Sequence, residues 1–388
     1  MERLERFERL EPFRSSVTTI KFTTAAILFF LGAWVFATTA AAQSSAVLLK
    51  AKTEAETKGY IFETSRDAIV AKAKKEGKLV VFSSQDAEPI RAAADAFRKK
   101  YPFIDVKATE IAGTDTYTRM IQELNMGKTT AWDVNYVAFD YYAQYLPHQK
   151  KFDLLGMAKH GVLQIPPEMI DPANRHILAL QTNMQVLAYN KKLVPENTTP
   201  ATYEDMLKPE FKGKKFATDV RPRAVAALVP AWGLEKVLAY AKKLAAQEPI
   251  WTRGDTRTLP LMTGGEIPMN LGLNYKGYLR FKEKDVQDVL AVKILEPVPV
   301  RLTEAEGISA RAQNPYAGLL WLEFQAGPEA QAILDKVDRA ASHLTAGSFH
   351  EKATRGKKLS FLSWEHYPQM GKYEEEVVKA FGFPRADK

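Results

Sequence analysis

Residues 76–108 read EGKLVVFSSQDAEPIRAAADAFRKKYPFIDVKA, and the class of fold turns on this stretch. Leu79-Val80-Val81-Phe82, just after Gly77-Lys78, is an apolar run of strand length. Residues 87–100 then place Ile90, Ala94 and Phe97 on one face of a helix, which Pro102 stops. Ile104 to Ala108 is extended again. Further on, 115–126 carries Tyr117, Ile121 and Leu124 at helical spacing, with Gly127 as a C-terminal stop, and Asp133 to Val137 reads as a third strand. Strand–helix–strand–helix–strand predicts a parallel sheet with right-handed crossovers.

Toward the C-terminus the alternation restarts. His176–Asn190 (HILALQTNMQVLAYN) reads as two extended segments joined across Gln181 to Asn183. Thr202 is placed to cap a short helix over 203–207, and Lys215 to Thr218 is a strand. Residues 224–246 predict a long helix interrupted at Pro230 or Gly233. Gly265 to Leu273 is apolar, and Val289 to Val300 is extended with Pro297 and Pro299. Asn314-Pro315 is the pattern of a cap followed by Pro at the first helical position. Gly327-Pro328 breaks that helix, a further one starts near Glu329, and the last covers 372–381. The expectation is an α/β protein of two units, the chain entering the second near 183–187 and leaving it near 292–299. Two lobes joined by two extended crossings enclose a cleft, beyond the carboxyl ends of strands, where ligands of open α/β sheets sit.

Toward the N-terminus, four Glu and five Lys or Arg in residues 1–21 precede an apolar run, Ala25–Ala37, and then Ala40-Ala41-Ala42. A basic flank, a short apolar segment and a small-residue site form the pattern of a secretory signal cleaved after Ala42. An uncleaved membrane anchor is the alternative, because Phe22 to Leu49 carries no charge. The whole chain has 388 residues, 46% hydrophobic and 26% charged, with formal charge +8. Those values exclude wholesale disorder and a polytopic membrane protein. The absence of Cys removes disulfides, thiolate metal sites and Cys nucleophiles together. The basic balance favours anionic partners without naming one.

Five stretches in order resemble the periplasmic solute-binding proteins of ABC importers, and within them the ferric-ion, thiamine and phosphonate-type group. They are Glu76 to Ser84, Trp132-Asp133-Val134, Leu187 to Lys191, Thr202 to Lys214, and Asn314-Pro315 with Phe324 and Gly327 to Gln331. The resemblance implies a type II-like two-lobed binding fold. Its segments are a signal peptide (1–42), a first lobe (43–184), a second lobe (185–296) and a return to the first (297–388). It also implies an inner-membrane ABC permease as partner, a small solute, no catalysis, no cofactor, no nucleic acid and a monomer in the periplasm.

The family places ligand groups in loops after strands. Here those positions are Ser83, Ser84, Gln85 and Asp86; Thr114 and Asp115; Ala138, Phe139 and Asp140; Asp219 to Arg223; and Asn274 to Tyr278. Hydroxyls and N–H groups at helix starts suit anionic oxygens, and Arg221 and Arg223 offer planar forks for carboxylate or phosphonate. The resemblance implies, for a ferric binder, two adjacent Tyr phenolates with a carboxylate. This chain reads Tyr275-Lys276-Gly277-Tyr278, a cation where the second phenolate belongs. A substitute set of Tyr275, Tyr278, Asp86 and Asp140 is the ferric alternative. Lys276 repels a bare cation, so the expected solute is a small organic anion of phosphonate or carboxylate type. A ligand sensor for a membrane receptor and a transferase on the same scaffold are further alternatives. The six His lack metal-binding spacing, nucleotide and hydrolase motifs are absent, and Tyr141-Tyr142 with Tyr145 is an aromatic cluster suited to packing or a cleft wall.

Overall fold

The structure, a computed structural model, describes residues 45–128, 131–339 and 341–383. The apolar run and the small-residue site proposed as a signal lie outside the described residues, and no described helix is long and apolar enough to cross a membrane. The described residues from Ala51 onward form one compact unit.

The chain runs α1 (45–57), α2 (Arg66–Glu76), β1 (Lys78–Ser83), α3 (Ala87–Lys100), β2 (Asp105–Glu110), α4 (Thr114–Asn125) and β3 (Val134–Tyr136). Two short helices, α5 (Tyr142–Tyr145) and α6 (Leu154–Lys159), lead to the long strand β4 (Leu178–Asn190). Next come β5 (Ala217–Asp219), α7 (Arg223–Ala226), α8 (Val229–Trp232), α9 (Leu234–Ala245), β6 (Ile250–Thr252), α10 (Asp255–Thr263), β7 (Met269–Asn274), α11 (Tyr275–Lys282) and β8 (Leu290–Lys293). The return comprises β9 (Val298–Ile308), α12 (Pro315–Ala326), α13 (Pro328–Asp338), α14 (Phe349–Thr354), β10 (Leu359–Leu362) and α15 (Met370–Phe381).

The strand order is β2-β1-β3-β9-β4-β7-β5-β6, with β10 beside β9 and β8 beside β4. β1 lies parallel to β2 and to β3, as the opening stretch predicts. β5 lies parallel to β6 and to β7, a second unit of the same kind. The antiparallel strands β4 and β9 join the two. Leu178 to Met184 pairs with Glu306 to Val300 of β9, and Gln185 to Tyr189 pairs with β7. On the other edge of β4, Leu187 to Asn190 pairs with β8. One strand therefore crosses from one unit to the other and changes partner between Met184 and Gln185.

Two local expectations are corrected and a third, the break in the 224–246 helix, is extended. The stretch 176–190 is a single strand rather than two, because Gln181, Thr182 and Asn183 continue the ladder opposite Thr303, Leu302 and Arg301 instead of turning. The helical stretch 224–246 is divided twice: Pro230 opens the short α8, and Gly233 at φ +75°, a left-handed backbone favoured by Gly, separates it from α9. Asn314 does not cap α12 with its own side chain. The cap is Glu76, whose carboxylate accepts from the N–H of Tyr316 (3.2 Å) and Ala317 (2.7 Å). Asn314 is instead bound by Asp133, which accepts from its N–H at 2.8 Å, from its amide at 3.1 Å, and from the Val80 N–H at 3.0 Å.

These two carboxylates tie the start of α12 to β1 and β3. The helix behind them is buried from Ala317 to Ala326, as a helix apolar on all sides must be. Phe97 of α3 meets Trp321 and Phe324 edge-on at 5.2 and 5.5 Å. This packing holds the carboxyl ends of β1 and β3 in place.

Candidate functional site

At the end of β1, the Ser83 hydroxyl donates to Glu304 at 2.7 Å, the Ser84 N–H donates to the same carboxylate at 2.9 Å, and the Ser84 hydroxyl donates to its other oxygen. Glu304 is buried and adopts φ +53°, a rare backbone for a residue with a Cβ. Glu306, two residues on and on the same face, is also buried, accepting from the Trp321 indole at 3.2 Å. Burial raises both carboxyls, and the negative charge of Glu304 adds to the rise at Glu306, which is pushed up to about 8. Tyr136 beside them is raised by burial and by Glu304. The Ser83 and Ser84 donors are thus engaged by the protein's own carboxylate.

At the start of α11 four charged side chains meet. Asp86, the residue before α3, pairs with Lys276 at 3.4 Å and with Arg280. Asp338, the last residue of α13 and 1% exposed, pairs with Lys276 and with Arg280 at 2.6 Å. Helical spacing brings Lys276 and Arg280 together, four residues apart on one face. At Asp338 burial dominates and raises the carboxyl. At half-exposed Asp86 burial also pushes upward, but the two cations outweigh it and the net shift is downward. Lys276 is therefore directed at carboxylates.

The neighbouring tyrosines serve the core. Tyr278 is buried and its hydroxyl donates to the Leu290 carbonyl at 3.3 Å. Tyr275 stacks on it, ring centroids 6.2 Å apart, and also packs near Phe349 and His350. Tyr278 does not present its hydroxyl beside Asp86. The side chains of Thr114 and Asp140 lie outside those described. Among the described residues no cluster of three or more His, Cys, Asp or Glu is arranged to hold a metal ion.

The remaining predicted residues surround a polar cavity of about 160 Å³ where β4 changes partner. Asp219, Arg221 and Arg223 line it from the loop after β5 and the start of α7. Asn183, Gln185 and Arg301 line it from β4 and β9, and Asp255 and Asn274 from α10 and β7. Asp219 accepts from the Arg221 N–H at 2.8 Å, from its guanidinium at 3.0 Å, and from the Gly254 N–H at 2.7 Å. Burial would raise Asp219, but these donors win and lower it. Asp255 accepts from the Asn274 N–H at 3.1 Å, yet burial raises it to about 6. The side-chain oxygens of Asn183 and Gln185 and the Nε of Arg301 are buried without hydrogen-bond partners, and Gln185 is only 8% exposed. Amide oxygen and nitrogen exchange places by a flip, so this floor can donate to an anion.

Gly272 makes the cavity wall possible. At φ +93° it lies so close to α7 that a Cβ there would stand 2.4 Å from the Ala224 Cβ. This approach draws Arg223 to the strand ends.

The structure therefore gathers Asp219, Arg221 and Arg223 at one cavity, and Asp86 and Lys276 at a separate ion cluster. Sequence reasoning missed Asn183, Gln185, Asp255, Arg280, Arg301, Glu304 and Asp338. The signal for Glu304 and Glu306 was present as TEAEG, two acids within a mostly apolar extended run. Arg280 was signalled by its spacing from Lys276.

An open α/β sheet with two crossing strands and a polar cavity at the crossing is the architecture of a two-lobed periplasmic binding protein. Residues 92–342 match the sequence pattern of the bacterial extracellular solute-binding protein family, and the chain belongs to that family. Solved structures share the fold. Apo ferric ion-binding protein A of Pasteurella haemolytica superposes with TM-score 0.61 at 18% identity, over 80% of this chain and all (100%) of that one. The Trichodesmium protein IdiA (FutA), in complex with iron and citrate, gives 0.59 at 20% identity over 79% of this chain and 98% of that one. Iron-bound HitA of Pseudomonas aeruginosa gives 0.56 at 18% over 77% and 99%. No protein of curated function matches the sequence significantly.

Proposed function

We propose that this chain is the periplasmic solute-binding component of an ABC importer for iron, taking ferric ion as an anionic chelate and passing it to a membrane permease. The observation that carries this is the cavity lined by Arg221, Arg223 and Arg301 with the buried amides of Asn183 and Gln185. Planar guanidinium groups around a polar pocket recognise oxyanions. The iron-bound and iron–citrate neighbours support a ferric cargo. In this reading the chelator supplies the hard anionic oxygens that Fe(III) needs, because Lys276 stands where a second phenolate would. The partner change at Met184/Gln185 supports lobes of 43–184 with 297–388, and 185–296, closing on the solute. Export on residues 1–42 with cleavage after Ala42 completes the proposal.

A second reading, a metal-free carboxylate or phosphonate, is favoured by the ion pairs that engage Lys276 with Asp86 and Asp338. Titration calorimetry with ferric citrate, citrate and ferric nitrilotriacetate separates the two. The expected result is 1:1 ferric citrate binding, lost in Arg301→Met and kept in Tyr275→Phe. Equal affinity for citrate with and without iron would favour the metal-free anion. A tyrosinate charge-transfer band abolished by Tyr275→Phe would instead mean direct coordination.

A further inference from the structure

A second cavity, of about 550 Å³, opens on the other side of Arg301. Arg301 lines both spaces. Arg223 of the first cavity and Glu374 of the second face each other at 3.9 Å. The walls of the larger space are aromatic: Phe139, Tyr141 and Tyr142 from the segment after β3, and Tyr367 from the segment before α15. Three of these rings lie nearly parallel. Phe139 and Tyr367 stack with centroids 3.8 Å apart at 19°, and Phe139 and Tyr142 are 6.0 Å apart at 15°. Tyr142 is held in place by donating its hydroxyl to Asp171. The volume is of the size that holds a small ligand.

We propose that the solute is an aromatic acid: an aryl ring seated against Tyr141 and Tyr142, carrying an acidic group that reaches Arg301 and the arginine cavity beyond it. The assignment rests on the anion reading above, and holds whether or not that anion brings iron. An aromatic lining favours a flat ligand, because ring faces stack on one another while an aliphatic chain gains only area. Arg301 links the two spaces, so one guanidinium can pair with the acid and border the ring. Glu374 at the same boundary is paired with Arg223, so the acid is assigned to the Arg301 end and the ring to the aromatic end.

The test compares phenylphosphonate with methylphosphonate, two probes sharing one acidic group, by titration calorimetry on the full chain. Phenylphosphonate is expected to bind at least tenfold more tightly. Tyr141→Ala should erase that advantage and leave methylphosphonate unchanged, and Arg301→Met should weaken both. Equal affinity of the two probes for the unaltered protein overturns the aromatic assignment and leaves the anion reading standing. So does a Tyr141→Ala variant that keeps the full preference. Citrate is the control for the anion reading: if citrate binds and neither phosphonate does, the aromatic assignment alone falls, and if no anion binds, both fall.

Discussion

Asp255 lines the arginine cavity as a carboxyl raised to about 6 by its own burial. Above that pH it is an anion facing any anionic solute, and below it the repulsion is gone. Affinity for sulfate, whose charge is constant over this range, should therefore rise about fivefold between pH 7.5 and 5.5. In Asp255→Asn, which keeps an acceptor for the Asn274 N–H, affinity should be high and flat across the same range. Isothermal titration at each pH checks this, and a wild-type affinity that falls on acidification would contradict it. Glu306 makes the matching statement about stability. Its carboxyl is raised from 4.5 to about 8, so its cost is absent below the ordinary carboxylate range and grows as pH rises toward 8. Glu306→Gln should raise the melting temperature at pH 8 by several degrees more than at pH 5. The sequence marks Glu306 only as one of two acids within a strand, and Asp255 not at all; neither shift in titration was legible there. Burial made them distinct, and burial is decided by strands and helices remote in the chain. The arginines after β5 were legible because a loop following a strand end is where an α/β sheet presents its side chains.

Elements were easier to read than side-chain duties, and the reason is periodicity. The strand–helix–strand run from Leu79 to Val137 carries its alternation in adjacent residues, and each element stands where its pattern put it. The long strand β4 was misread as two because Gln181, Thr182 and Asn183 look like turn residues. Their polarity belongs instead to a buried crossing, where Gln181 and Thr182 are shielded and the Asn183 oxygen faces the cavity. The Asn314-Pro315 signal placed α12 correctly but named the wrong cap, since no local pattern shows that Glu76, far back in the chain, reaches its first N–H groups. The packing of α7 on β7 yields a prediction at this scale. Gly272→Val sets a side chain against Ala224 at a backbone angle that disfavours any Cβ. It should cost about 2 kcal/mol of stability by overpacking. It should also lower sulfate affinity more than tenfold by pushing Arg223 out, the tenfold being about 1.4 kcal/mol of binding. Chemical denaturation and calorimetry read the two effects, and unchanged affinity in a destabilised variant would show that α7 does not set the cavity.

On the two-lobed reading proposed above, closure would be a balance between the two crossing strands and the ion cluster, which opposes opening. Asp86 and Asp338 belong to elements packed on the β1 side of the sheet, and Lys276 and Arg280 to α11 beside β7. Four charges meet across the crossing and tie the two sides together. A binding-competent closed state populated in advance lowers the conformational cost of capture. Asp338→Asn removes the buried charge and leaves Lys276 and Arg280 with Asp86 alone. The expected outcome is a larger radius of gyration for the solute-free protein by small-angle scattering, and sulfate affinity lower by about fivefold. Salt should act in the same direction on the native protein, more weakly, because half-exposed Asp86 and Arg280 are screened while buried Asp338 is not. Restoring the compact form by adding the solute to Asp338→Asn would establish that the cluster and the solute stabilise one and the same state. A variant that is as compact as the native chain without solute would mean that the crossing strands alone hold the cleft shut.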